Sequence, residues 1–381
     1  MRSLRAVAVL AATGAALAVQ PAAMAVVRDL PSTSASFNGT VMATARSGNV
    51  IYVGGSFTSA TDSTGTHGRR HLAAVSATTG RLLAWSPSTN SNVLALAVSR
   101  GRVFAGGQFT RTNGVAVSRL VQISASSGRL VRGFRPRVNR MVRALALSPS
   151  RVYAGGKFTG INGHGRRHLA ALSRTSGAVS TWAPRADSGV RVIRRHGSQL
   201  VIGGSFRHIN GRIHTHAVAI VSTRTGGVVR SFHSPANYLV NDIRLTRTRI
   251  YMAMSGPGGR VMASGYKGGV AWRRVFNGDV NALSVLDGTL YIGGHFTSRC
   301  TTTRVIGPSG DCRDGRVQVP KLAATTLGGT NRAWSPAADS DLGVLAMSSV
   351  PSRHALVAGG DFNTFHNGSH RQPKFALFRN R

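Results

Sequence analysis

A chain of 381 residues, with 42% hydrophobic residues and 46 glycines, can bury one large repeat domain or two ordinary ones. Long charged helix formers are scarce, which favours strands and turns over a helical bundle. Forty-eight Lys plus Arg face eleven acids, all of them Asp, so the formal charge is +37 and the paired glutamates of many sugar-cleaving enzymes are excluded.

Only Lys157, Lys267, Lys321 and Lys374 are lysines, so arginine carries nearly all of the charge. Such a surface attracts polyanions. An arginine-biased composition on a solvated surface and a selected polyanion-binding role both fit it.

In chain order, Arg2 and Arg5 precede an apolar run from Ala6 to Val19, and Ala23-Met24-Ala25 offers small residues for cleavage. This predicts an export signal over residues 1–25, cleaved after Ala25, and a single domain over 26–381. The run is too short to span a bilayer, and no later stretch reaches about 18 uninterrupted apolar residues. Loss of residues 1–25 removes two arginines and no acid, leaving 37 − 2 = +35.

A unit of about fifty residues then recurs around a Gly-Gly-x-Phe motif. Its copies are Gly54-Gly55-Ser56-Phe57, Gly106-Gly107-Gln108-Phe109, Gly155-Gly156-Lys157-Phe158, Gly203-Gly204-Ser205-Phe206, Gly293-Gly294-His295-Phe296 and Gly359-Gly360-Asp361-Phe362. A degenerate copy lies between the fourth and fifth of these, where Ala253 and Met254 replace both glycines. Each unit reads as an apolar strand, a turn, a strand ending in the glycines, a loop often holding Asn-Gly, a third strand, a Thr-Gly or Ser-Gly turn, and a fourth strand. In most units the fourth ends in an aromatic followed by proline, as at Trp85 and Pro87 or Trp182 and Pro184.

Four short antiparallel strands per unit predict one blade of an all-β propeller, with seven blades in all. The last unit stops after its third strand at Phe375-Ala376-Leu377-Phe378, and Phe37-Asn38-Gly39-Thr40-Val41 matches the junction Phe276-Asn277-Gly278-Asp279-Val280. Residues near Val26 to Phe37 are therefore expected to supply the missing outer strand and close the ring.

With this strand-then-Gly-Gly pattern, residues 37–381 resemble the secreted bacterial β-propellers called delta-60 repeat proteins, whose units are kelch-like. The resemblance implies a fold and secretion. It implies no general biochemical activity.

Residues common to all units are expected to be architectural, and residues peculiar to one or two are better functional candidates. A basic residue opens the third strand of each unit: His71, Arg119, His168, His216, Arg260, Lys321 and Lys374. These read as structural, or as a ring of contacts to an anionic ligand. On the face shared by the second-to-third-strand loops and the unit junctions, the loops hold His67, His164, His208, His214 and His366. The junctions hold Asp187, Asp279, Asp339 and Asp341, with Asp242 near the start of its inner strand. Such carboxylates make local turn hydrogen bonds, contact a ligand or ion, or serve as an acid and base pair.

Two places break the pattern: Ser255-Gly256-Pro257-Gly258-Gly259-Arg260 in the fifth unit, and the long loop from Thr297 to Val319 in the sixth. The first lacks the spacing and following helix of a phosphate loop. The second holds Cys300, Cys312, Asp311 and Asp314; in an exported chain its cysteines suggest a local disulfide, with a metal pair or reactive thiol as the alternatives. Neither a Gly-x-Ser-x-Gly elbow nor a His-Glu-x-x-His motif is present, and nothing calls for a cofactor or metal.

The leading expectation is a secreted, non-enzymatic binding scaffold whose basic surface meets an anionic polymer, polysaccharide or protein at the cell surface or cell wall. Nucleic acid enters by charge alone. The alternative is an extracellular polysaccharide hydrolase or lyase using Asp187, Asp279, Asp339 and Asp341.

Overall fold

The computed structural model describes residues 26–307 and 310–380; the expected export signal, residues 1–25, lies outside them. Seven inner strands each open on a fully buried or nearly fully buried valine: Val41–Ser47, Val93–Ser99, Val142–Leu147, Val190–His196, Val240–Leu245, Val280–Leu286 and Val344–Val350. Each pairs antiparallel with a second strand, and that strand with a third. In the first unit these are Val50–Gly55 and Leu72–Ser76.

The register slips by one residue just after the valine in every inner strand, as between Val41 and Ala43 or Val142 and Ala144. This bulge turns one extra residue out of the ladder. The residues concerned are Met42, Leu94, Arg143, Arg191, Asn241, Asn281 and Leu345, and all seven line one central cavity.

The two glycines of the motif have different tasks. A Cβ at the first would strike the opening valine of the next unit: Gly54 meets Val93 at 2.6 Å, Gly106 meets Val142 at 2.7 Å, Gly293 meets Val344 at 2.6 Å, and Gly359 meets Val41. A Cβ at the second would strike a backbone carbonyl of its own inner strand's entry, Asn92 for Gly107 and Asp279 for Gly294. The first glycine thus admits the neighbouring sheet, and the second admits the bulge. The phenylalanines that follow are all fully buried, each contributing about 2–3 kcal/mol of apolar burial.

The inner strands pack in chain order, and Val344–Val350 packs in turn against Val41–Ser47. The N-terminal segment meets the last two units: Ser32 bridges Leu377 and the Arg28 amide donates to the Arg379 carbonyl at 3.3 Å in the last, and the Val27 amide donates to the Tyr291 hydroxyl of the sixth at 3.0 Å.

The expected fourth strand is shorter than the sequence pattern suggests. In the first four units it is a single antiparallel bridge, Val75 with Leu82, Ile123 with Leu130, Leu172 with Val179 and Val221 with Val228. The chain leaves the ladder there because the closing aromatic turns inward. Trp85 Nε1 donates to the Ser124 carbonyl of the next unit at 2.9 Å, and Trp182 Nε1 to Ser222 at 2.8 Å. The degenerate fifth unit alone has a long fourth strand, Val270–Phe276.

Cys300 and Cys312 form a disulfide. They sit in an arm whose strands Ser298–Cys300 and Arg316–Gln318 pair with each other, and Arg299 pairs with Phe276 at the edge of the fifth unit. A Cβ at Gly258 would lie 2.8 Å from the Gly310 carbonyl, so the arm lies against the tight Ser255–Gly259 turn. The two irregular segments are therefore one region.

Candidate functional site: the central cavity and the face around it

Second strands end and inner strands begin on one face, here called the junction face. Its loops are held by a repeated polar pin. Asn139 Oδ1 accepts the Thr159 and Gly160 amides at 3.0 and 3.1 Å, and Asn38, Asn90 and Asn277 do the same in their units.

Asp187 and Asp339 occupy this same position. Asp187 accepts the Arg207 and His208 amides at 2.8 and 3.0 Å and contacts His208 Nδ1 at 2.9 Å; Asp339 accepts the Asn363 and Thr364 amides at 2.6 and 2.7 Å. Burial acts to raise both carboxyls, but these hydrogen bonds outweigh it and hold them below the usual carboxylate range. Both therefore serve the scaffold. Asp279 acts on Arg191, and Asp341 on Lys321, through charge.

The basic position before the third strand is also tied to the scaffold. His71, Arg119, His168, Lys321 and Lys374 all have φ between 64° and 68°, a left-handed conformation, and each exchanges backbone hydrogen bonds with its motif. The polar ends of four of them turn onto carbonyls: His71 Nδ1 lies 3.2 Å from Gly55, Arg119 donates to Val138 at 2.9 Å, Lys321 to His295 at 3.1 Å and Lys374 to Asp361 at 2.7 Å. Burial lowers the His71 and His168 imidazoles and the Lys321 ammonium from their ordinary values.

Two members of the expected ring depart from this arrangement. In the fourth unit the left-handed residue is Ala217, φ 57°, one place after the exposed His216. Arg260 keeps the register, paired with Met254 in the strand Gly259–Ser264, but lacks the left-handed conformation, and its guanidinium stacks over Tyr238 at 4.8 Å.

The loop histidines are dispersed. His67 lies 3.8 Å from Asp62, His208 beside Asp187, and His366 3.9 Å from Asp29, while His164 and His214 are exposed. In the disulfide arm, Asp314 accepts the Thr302 hydroxyl at 2.7 Å and Asp311 lies 3.9 Å from Arg316. Among the described residues, no three His, Cys, Asp or Glu side chains gather as a metal-ligand set.

What the structure does bring together is a cavity of about 400 Å³ on the central axis. One wall is apolar, with Met42, Leu94, Leu96, Leu345 and Met347 from the last, first and second units. The opposite wall is polar, with Arg143, Arg191, Asn241 and Asn281 at the bulge position of the third to sixth units.

Below the bulge, the other units carry only Ala or Ser where Arg194 and Arg244 stand, and Ala or Val where Asp242 stands. Asp242, buried, is bonded by Arg194 at 2.7 Å and Arg244 at 2.8 Å and accepts the Leu283 amide at 3.0 Å. Arg244 also reaches over to the Met347 carbonyl at 2.8 Å. Burial lowers its pKa to about 10, against the pull of Asp242, so it stays charged at neutral pH. This cluster was not legible as a site: only Asp242 stood out, for its rarity.

Around the opening, the third and fourth units present exposed Arg140, Lys157, Arg167, Arg185 and Arg207 against the single carboxylate of Asp187.

No protein-family model matches the chain, and no curated protein matches it in sequence. Among solved structures it is similar to the computationally designed Ika8 protein, with TM-score 0.55 and 12% identity over 91% of this chain and 98% of that one. It is also similar to the WD40 β-propeller domain of Doa1, with TM-score 0.52 and 9% identity over 92% of this chain and 97% of that one. At such identities the likeness concerns architecture: the chain has a β-propeller fold.

Proposed function

We propose that this protein is an exported, seven-bladed propeller of the delta-60 repeat type, closed by its N-terminal segment. It acts as a non-enzymatic scaffold that binds an anionic polymer, polysaccharide or protein surface outside the cell. Seven inner strands packed in succession, with Gly359 receiving Val41 and Ser32 bridging Leu377, support the closed ring. The disulfide supports export. Among the described residues no helix is long and apolar enough to cross a membrane.

The observation that carries the binding role is the cationic sector of the junction face, five exposed Arg and Lys side chains of the third and fourth units around one carboxylate. Propeller loops held on a rigid framework form recognition surfaces, and a dense like-charge sector draws polyanions. The test is a titration with a sulfated polysaccharide across a salt series. Binding at low salt that weakens steeply as salt rises supports the reading, because screening shortens the reach of exposed charge. No binding at low salt to this or a phosphate-bearing cell-wall polymer refutes it.

A further inference from the structure

We infer that the central cavity is a binding site for a small organic anion with an apolar body. Its carboxylate or sulfonate would meet Arg143 and Arg191, and its apolar face would lie on Met42, Leu94 and Leu345. This site rests on the propeller architecture and is independent of polymer binding at the junction face.

Three features of the cavity converge. Its volume of about 400 Å³ falls in the range of small-molecule sites, about 300–1,000 Å³. Its charge is unbalanced: Arg194 and Arg244 share Asp242, whereas among the described residues the half-buried Arg143 side chain has no hydrogen bond or ion pair. Burial lowers the pKa of Arg143; it also lowers that of Arg191, and there the charge of Arg143 adds to the effect. A desolvated cation without a counter-ion is unfavourable, and an entering anion relieves it.

The walls then set the rest of the ligand. Arg191 already gives one guanidinium nitrogen to Asn241 Oδ1 at 2.8 Å, which fixes its orientation toward the cavity wall. Arg244, bonded to Met347, crosses the cavity below, so the ligand enters from the junction face and does not thread through. An inorganic anion would leave Met42 and the leucines uncovered, and a neutral apolar molecule would leave Arg143 unpaired.

The probe is 8-anilinonaphthalene-1-sulfonate, titrated by fluorescence and calorimetry against the full protein, with N-phenyl-1-naphthylamine as the same apolar body without the anion. The variants are Arg143→Met and Arg191→Leu, which install the residue types that Met42 and Leu94 carry at equivalent positions, so the repeat itself shows that the fold tolerates them. Arg247→Gln, exposed on the opposite face, is the control.

We expect one saturable sulfonate site, weakened at least tenfold by either variant and unchanged by the control, with the neutral analogue no weaker in the variants. The proposal is overturned if no saturable site exists, or if both variants change sulfonate affinity by less than threefold. A sulfated polysaccharide too large for the cavity, titrated in parallel, separates the two readings. Probe binding without polysaccharide binding sinks the polymer role alone, and the reverse sinks the cavity site alone.

Discussion

The first and fifth units perform the same structural task with different residues. In the first, Gly54 and Gly55 admit a neighbouring valine and a bulge carbonyl, and Ala43 and Ala45 leave the space below the bulge empty of charge. In the fifth, Ala253 and Met254 replace the glycines and Asp242 and Arg244 fill that space. Where the repeat holds, contact with the next sheet dictates each residue. Where it breaks, a polar network ties three adjacent inner strands, through Arg194, Asp242 and the Leu283 amide.

The largest expected effect comes from Asp242→Ala, which leaves Arg194 and Arg244 without their shared counter-charge at a cost of about 3–5 kcal/mol. Adding Arg194→Ala and Arg244→Ala restores the alanine pattern of the third unit and should recover most of that loss in denaturant unfolding. If the triple variant is no more stable than Asp242→Ala, the network is not a replaceable substitute for the regular packing.

Next is Gly107→Ala, whose Cβ would be driven into the Asn92 carbonyl; we expect about 3 kcal/mol of destabilisation from overpacking. Ala253→Gly in the fifth unit should cost no more than about 1 kcal/mol, the backbone-entropy difference. Comparable losses at the two sites would erase the distinction between regular and degenerate units.

The arms give a smaller contrast. In the second to fourth units, Asn113, Asn162 and Asn210 tie the loop to a neighbouring turn, accepting the Ser88, Arg137 and Arg185 amides at 2.7–2.8 Å. In the sixth the disulfide instead closes the arm on itself. Replacing both Cys300 and Cys312 by Ser should lower stability by about 2–3 kcal/mol, from the closed-loop entropy alone. Limited proteolysis should cut first between Thr301 and Arg316, and cutting elsewhere would argue against the arm as the disulfide's main beneficiary.

The smallest effect is a pH dependence. Burial depresses the His71 and His168 pKa values, so the folded state holds fewer protons on them than the unfolded state does. Their contribution is fully present above the ordinary histidine pKa of about 6.5 and is lost as pH falls through the folded values. His71→Asn with His168→Asn keeps a residue suited to positive φ and should flatten stability below about pH 6.5. An unchanged acid slope would assign it to other groups, such as Asp187 and Asp339, whose depressed pKa values act only nearer pH 4.

The architecture was legible because it repeats. Six glycine pairs announce the strands, and the match of Phe37-Asn38-Gly39 to Phe276-Asn277-Gly278 marks two equivalent junctions, where Asn38 and Asn277 make the same pin. The cavity was not legible, since Met42, Leu94, Arg143 and Arg191 share a position only through the bulge, and a one-residue slip has no signature in a run such as Val142 to Leu147. Comparing units column by column misled at His216, because the fourth unit's loop is offset by one residue from Ala217. Asp187 looked functional for its rarity, yet Asn38, Asn90 and Asn139 perform the same pinning without a charge.

The central claim is that the junction face of the third and fourth units holds an anionic partner. Its most direct test compares polysaccharide affinity at one low salt concentration for two variants of matched charge loss. One replaces Arg140, Arg167, Arg185 and Arg207 by Gln, and the other replaces Arg100, Arg247, Arg249 and Arg353 on the opposite face. The account predicts a loss of tenfold or more for the first and less than threefold for the second. Equal losses would show that net charge, and not this face, governs binding.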